Sequence, residues 1–303
     1  MVKVLKVYDY TKCELPANLF EIKIPQKKIN EKLKIAAEHF LTIEEQKGAI
    51  KKGDIVAIKI ESKDPFLASE CQRLSVGKGF FSKDIEEAII GKKKGESVCV
   101  NVEGSQAEVT VLWVRRRVVP KFTDAMAAKM GVEDVTNVQE YTDYVTEQLV
   151  DEDKEKKQNA IWLMVSKKIL DESEFEVDEA EVEALYKKDL AYLQKELEGD
   201  FEEYMQVKYH GKTLEESKKG MRKEIENTLK LCAIATPMAE EDGVEWTREA
   251  YDAYVDEMVS EEYSKDEIEQ SMSYDDYVKQ QKETYLQAKV LECFESRFTV
   301  AIV

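Results

Sequence analysis

The placement of prolines divides this 303-residue chain: Pro16, Pro25, Pro65 and Pro120 all lie in its first 120 positions, and beyond them only Pro237 remains. A long stretch almost free of proline can form long helices, whereas the earlier part cannot. Before Pro120, Leu19 to Ile24 and Ile55 to Ile60 alternate apolar and polar residues with the period of half-buried strands. Between them, Gln26 to Phe40 repeats Ile29, Leu33, Ala36, Ala37 and Phe40 on one helical face. After Gly77 and Gly79 the pattern predicts a short helix, Ser82 to Ile90, closed by Gly91. Strands over Val98–Val102 and Glu108–Val114 follow, joined by a tight link at Glu103 to Gln106. Residues 1–120 thus read as a compact α+β domain.

From 121 to 303 the pattern predicts an all-α domain. Its helices are expected over Thr123–Met130, Val138–Leu170, Asp178–Glu198, Thr213–Asp242, Thr247–Ser260 and Tyr274–Phe298. Asp178-x-x-Glu181 and Thr213-x-x-Glu216 fit the capping box that starts a helix. Val182, Leu185, Leu190, Leu193 and Leu197 form a narrow apolar stripe, which suits an arm packed on one neighbour.

Charge follows the same division. The first 120 residues carry 22 Lys and Arg against 17 Asp and Glu; of the totals of 45 and 63, that leaves 23 against 46 in the remainder. An acidic half repels phosphate backbones, and the basic runs Lys92-Lys93-Lys94 and Arg115-Arg116-Arg117 are short, so nucleic acid is not expected as a partner. Five cysteines without a CxxC spacing indicate neither a disulfide framework nor a metal site. No run approaches a membrane span, and Met1 to Tyr8 does not read as a signal peptide, so a cytoplasmic protein with no membrane partner is expected. No phosphate-binding glycine loop is present, so neither ATP nor any other cofactor is expected. His39 and His210 have no nucleophile partner in a motif and read as structural or surface residues.

The run Val76-Gly77-Lys78-Gly79-Phe80-Phe81-Ser82-Lys83-Asp84-Ile85-Glu86, continued by Gly91-Lys92-Lys93-Lys94-Gly95-Glu96, resembles the central signature of FKBP-type prolyl isomerases. Gly53-Asp54-Ile55-Val56-Ala57-Ile58 matches that family's entry into its first strand pair. Further on, Val119-Pro120-Lys121-Phe122-Thr123-Asp124, Ala127-Ala128-Lys129-Met130-Gly131 and the stretch from Leu231 through Glu240-Glu241-Asp242-Gly243-Val244-Glu245-Trp246-Thr247 resemble the link and helical domain of bacterial trigger factor. The order of these segments is that of the trigger factor family. The resemblance implies an FKBP-like α+β domain followed by a trigger factor C-terminal, SurA-like domain of long helices.

The departures are equally specific. The family's ribosome-binding domain, with its Gly-Phe-Arg-x-Gly-x-x-Pro loop, has no counterpart here, which puts direct ribosome docking in doubt. Where the isomerase signature carries Ile-Pro-Gly-Phe-Glu, this chain has Ser82-Lys83-Asp84-Ile85-Glu86, and the flap between the last strands is reduced to Glu103–Gln106. Prolyl isomerisation requires a dry apolar pocket favouring the twisted imide, and these changes erode it. Phe66, Phe80, Phe81, Ile85 and Trp113 are the candidates for a remnant pocket; plain core packing is the other role open to them. The resemblance implies a folding helper that binds unfolded or nascent polypeptides without ATP. Tyr192, Met205, Tyr251, Tyr254, Met258 and Tyr285 are its candidate client-facing residues. An active prolyl isomerase and an interaction protein for one partner remain as alternatives.

Overall fold

The structure, a computed structural model, describes residues 2–211, 213–260 and 262–303. In chain order the strands are β1 (Lys3–Lys6), β2 (Glu21–Ile24), β3 (Thr42–Glu45), β4 (Ile55–Ser62), β5 (Ser69–Ser75), β6 (Ser97–Val102), β7 (Ser105–Val118), β8 (Glu174–Glu176) and β9 (Thr299–Ile302). The helices are α1 (Gln26–Glu38), α2 (Lys83–Ile89), α3 (Asp124–Ala127), α4 (Val138–Glu172), α5 (Glu179–Leu197), α6 (Phe201–Tyr209), α7 (Leu214–Glu241), α8 (Arg248–Met258), α9 (Lys265–Ser271) and α10 (Tyr274–Glu292). They fall into two compact units: a sheet unit of Ile24–Leu149 with Ile302–Val303, and a helical unit of Met1–Lys23 with Val150–Ala301.

In the sheet unit β7 is the spine. β4 pairs along one edge of it, and β6 and β3 take successive stretches of the other, with β5 outside β4; every pairing is antiparallel. Val102 pairs with Ser105 across a two-residue turn in which Glu103 and Gly104 both have positive φ, 49° and 89°. That geometry matches the twist of the flanking strands and favours glycine at the second position. Alternation along β4 and β7, shifted by one residue at a bulge at Leu112, then sends Val56, Ile58, Ile60, Val109, Val111 and Val114 into one core, which Ile85 and Ile89 of α2 complete. α1 buries Ile29, Ala36 and Ala37 as its periodicity predicts. The helix expected over Thr123–Met130 is a single turn, and Asp124 then caps α4 by accepting the Val138 N–H at 2.8 Å.

The helical unit corrects the single boundary drawn at Pro120 in two ways. Residues 121–149 belong with the sheet, where Phe122 meets Tyr141 at 5.1 Å and Tyr141, Val145 and Leu149 of α4 are buried at four-residue spacing. The first 23 residues belong with the helices: β1 pairs with β8, and Cys13, Leu15 and Phe20 join a core of Ile161, Val165, Ile169, Leu231, Leu286 and Val290. The segment is too short to complete a core of its own, so its apolar side chains take cover among the helices. The strand expected from Leu19 begins at Glu21, after a turn of 3-10 helix, and the helix expected to reach Phe298 stops at Glu292 before β9. α4, α5, α7 and α8 lie close to their predicted ranges, and Asp178 and Thr213 cap as expected, accepting N–H groups of Glu181 and Glu216.

Candidate functional site

The signature segment of the sheet unit is held by a buried carboxylate. Glu86 Oε2 accepts the N–H groups of Gly77 at 2.7 Å and Gly79 at 3.2 Å, and Oε1 accepts that of Phe81 at 3.4 Å. Both glycines have positive φ, so the turn needs them and the carboxylate satisfies the amides it exposes. A second buried carboxylate, Asp54, receives Arg116 through Nε at 2.6 Å and Nη2 at 2.7 Å, and the Lys51 N–H at 2.8 Å. Burial alone would raise its pKa, but the Arg116 and Lys51 hydrogen bonds outweigh it and hold the carboxyl below its ordinary value.

This frame does not bring the five candidate pocket residues together. Phe66 follows β4 at the hairpin tip near the Ile60–Ser69 pair, whereas Phe80 and Phe81 follow the opposite end of the ladder, beyond the Ile55–Ser75 pair. The strand between those pairs spans about 20 Å. Phe66 is 99% exposed and Phe80 90% exposed. Ile85 is fully buried in the sheet core, and Trp113 lies outside that core, half-buried with the Arg115 guanidinium 4.6 Å from its ring.

Two clefts lie among the helices. A cleft of about 450 Å³ is lined by Leu185, Tyr192 and Leu193 of α5, Tyr209 of α6, and Met221 and Ile225 of α7. A wider one of about 930 Å³ is lined by Val244, Trp246, Tyr274 and Val278, and Leu185, Lys188, Leu229 and Lys279 line both. Charged groups punctuate the first cleft. Asp276 takes Lys279 at 2.8 Å and Lys188 at 3.6 Å; burial pushes its carboxyl up, but the bonds from Lys279 and Ser273 prevail and hold it low. At Asp189 the balance reverses: burial, then the neighbouring Asp276, raise its pKa against the lowering influence of Lys188, Lys279 and Lys208. Glu283 is raised in the same sense by burial and by Glu224. The arrangement supplies apolar contact with carboxylates and ammonium groups at its margins.

The candidate client-facing residues divide. Tyr192, 37% exposed, lines the first cleft, and Met258, 52% exposed, ends α8 at the surface. Met205 and Tyr251 are not at the surface as expected. Met205 is fully buried with Phe201 and Met221, and Tyr251 is packed with Val255, Ile268 and Tyr277, its hydroxyl donating to the Met272 carbonyl at 2.7 Å. Tyr254 is half-buried against that cluster. Tyr285, also half-buried, donates to Asp242 Oδ2 at 2.7 Å. Sequence reading passed over Trp246 and Tyr209. Their signal was position: an aromatic beside a helix cap at Thr247, and one at the end of α6. His39 and His210 are both exposed, and His210 ends α6 in the left-handed conformation. Among the described residues no helix is long and apolar enough to cross a membrane.

A solved structure described as "Promiscuous Substrate Recognition in Folding and Assembly Activities of the Trigger Factor Chaperone" is similar at a TM-score of 0.47 and 17% identity, covering 98% of this chain and 73% of the other. Comparison with curated proteins finds no match. The family model for the bacterial trigger factor protein C-terminus matches residues 137–293, more than half of the 303, and spans α4 to α10 with both clefts. The chain belongs to the trigger factor family.

Proposed function

We propose that this chain is a cytoplasmic folding helper that holds segments of unfolded or nascent polypeptide, without ATP, in the clefts bordered by α5, α7 and α10. The observation that carries this reading is the coincidence of those open clefts with the segment matched by the family model. Apolar walls of Leu185, Tyr192, Leu229 and Trp246 favour burial of exposed client side chains, and the surrounding charge keeps the complex in solution. Apolar contact of this kind is non-directional, which suits a client set of varied sequence. Tyr192 and Met258 remain client-facing candidates in this reading; Trp246 and Tyr209 join them.

The sheet unit contributes little or no prolyl isomerisation. Supporting that view, Phe66 and Phe80 stand at opposite ends of β5 and Ile85 is committed to the core, so these side chains do not converge on a desolvated site for the imide. The test sets light scattering of an aggregating, refolding client beside the cis-to-trans rate of a proline-containing peptide, in the absence of nucleotide. Suppressed aggregation with an unchanged peptide rate is expected. Acceleration of the peptide with no effect on aggregation would overturn the reading and make the chain an isomerase.

A further inference from the structure

The sequence argues against nucleic acid because its second part is acidic and its basic runs are short and separate, but the sheet unit assembles lysines from three loops at one end. Ile50 N–H donates to the Lys92 carbonyl at 2.8 Å and Gly91 N–H to the Ile50 carbonyl at 2.9 Å. Gly53 N–H donates to the Val76 carbonyl at 2.9 Å, and a Cβ placed on Gly77 would lie 3.2 Å from Lys52 Cγ. These ties set residues 50–53, 76–79 and 91–93 side by side, so Lys51, Lys52, Lys78, Lys92 and Lys93 share one surface. Among the described residues none of the five has a carboxylate ion-pair partner. Of the neighbouring carboxylates, Asp54 is offset by Arg116 and Glu45 by Lys94 at 2.9 Å, whereas Glu86 accepts the Gly77 and Gly79 amides and Glu96 the Lys93 N–H at 2.9 Å and both keep their charge. Asp84, in the first turn of α2, adds a third opposing charge to those of Glu86 and Glu96, against five lysines. On the same loop as Lys78, Phe80 offers a ring that is 90% exposed.

We propose that this end of the sheet unit binds a single-stranded polynucleotide, with phosphates on the lysines and a base stacked on Phe80. Lysines present point charges without the planar fork of arginine, so they attract phosphates and read no base edge. An exposed ring beside such charges is the element that distinguishes single strands from other polyanions, because every base has a face to stack. An acidic polypeptide would satisfy the charge and leave the ring unused.

The test is fluorescence anisotropy of labelled oligouridylate and oligothymidylate of about 20 nucleotides with the whole chain. Binding is expected at about 50 mM salt, falling roughly 50- to 130-fold by about 200 mM, the counterion-release dependence of four or five neutralised phosphates. Uridylate alone binding assigns the site to RNA, and equal binding of both assigns it to single strands in general. Reversing Lys51→Glu with Lys52→Glu should weaken binding more than tenfold, and so should Lys78→Glu with Lys93→Glu, each variant checked for an unchanged circular dichroism spectrum. Phe80→Ala should cost at least about fivefold without altering the salt slope. The proposal is overturned by no binding at about 50 mM salt, by affinity that survives both charge-reversal pairs, or by polyglutamate competing as well as the unlabelled oligonucleotide.

Discussion

The sheet unit and the helical unit bury their apolar side chains in different ways. In the first, one cluster joins β4, β5, β6, β7 and α2, while Ile29, Ala36 and Ala37 of α1 and Tyr141, Val145 and Leu149 of α4 are buried outside it. In the second, apolar contacts among the described residues fall into separate groups: one on α4, α7 and α10, one on α8, α9 and the start of α10, and one on α5, α6 and α7. A hydrogen-bonded ladder forces neighbouring strands to share one face, so their apolar residues must pool. Long helices with narrow stripes meet one partner at a time and leave concave surface between contacts. The strands therefore pool their apolar side chains in one core, whereas the helices leave the two clefts between their contacts.

That contrast can be broken by experiments, beginning with the strongest effect. Arg116→Ala leaves the buried Asp54 carboxylate without its counter-charge and should cost about 3 to 5 kcal/mol in urea unfolding of the sheet unit, with Asp54→Ala costing less because the Arg116 side chain it leaves unpaired retains partial solvent access. Met205→Ala in the helical unit should cost about 2 to 4 kcal/mol, since the side chain is fully buried. Tyr192→Ala tests the opposite property: stability should change by under about 1 kcal/mol while client retention in the scattering assay weakens severalfold. Equal losses of stability at Met205 and Tyr192 would erase the distinction between core and cleft.

The first cleft holds carboxylates of both signs in their response to pH. The folded-state pKa of Asp189 and of Glu283 is raised above the ordinary values of 3.8 and 4.5, so their charged forms oppose folding at neutral pH. This opposition is relieved as pH falls through the raised folded values toward the ordinary ones, and it is fully present above them. Asp54 and Asp276 have the reverse sign: their folded pKa values are lowered, so the stability they confer is present above 3.8 and lost as pH falls through the folded values. Asp189→Asn with Glu283→Gln should accordingly raise the urea midpoint at pH 7 and leave it nearly unchanged near pH 4. A midpoint shift equal at both pH values would separate the effect from titration. The smallest effect is local: Glu103→Asn relieves a positive φ in the β6–β7 turn and should stabilise the sheet unit by about 0.5 kcal/mol, measured by the same denaturation.

Much of this architecture was readable because it depends on local periodicity. The apolar spacing of α1, α5 and α7, the caps at Asp178 and Thr213, and the turn glycines at 77 and 79 act over a few residues, and the folded chain keeps them. Short elements escaped the reading. β3, β5, β8, α6 and α9 carry too few residues for a period to emerge, although Ser264 and Glu267 form a full capping box ahead of α9. Of the site, the general region was legible and the individual side chains were not. Tyr192 and Tyr251 occupy similar stripes, yet one borders a cleft and the other is sealed by Ile268 and Tyr277.

The amino-acid sequence by itself determined the order of an α+β region before a long-helix region, the signature turn and the family, because these follow from patterns confined to neighbouring residues. Tertiary structure alone decided that the first 23 residues complete the helical core, that Phe66 and Phe80 part to opposite ends of a strand, and that lysines from three loops meet on one surface. Each of those outcomes depends on contacts between residues distant in the chain, which strand register and helix packing select and local propensity does not.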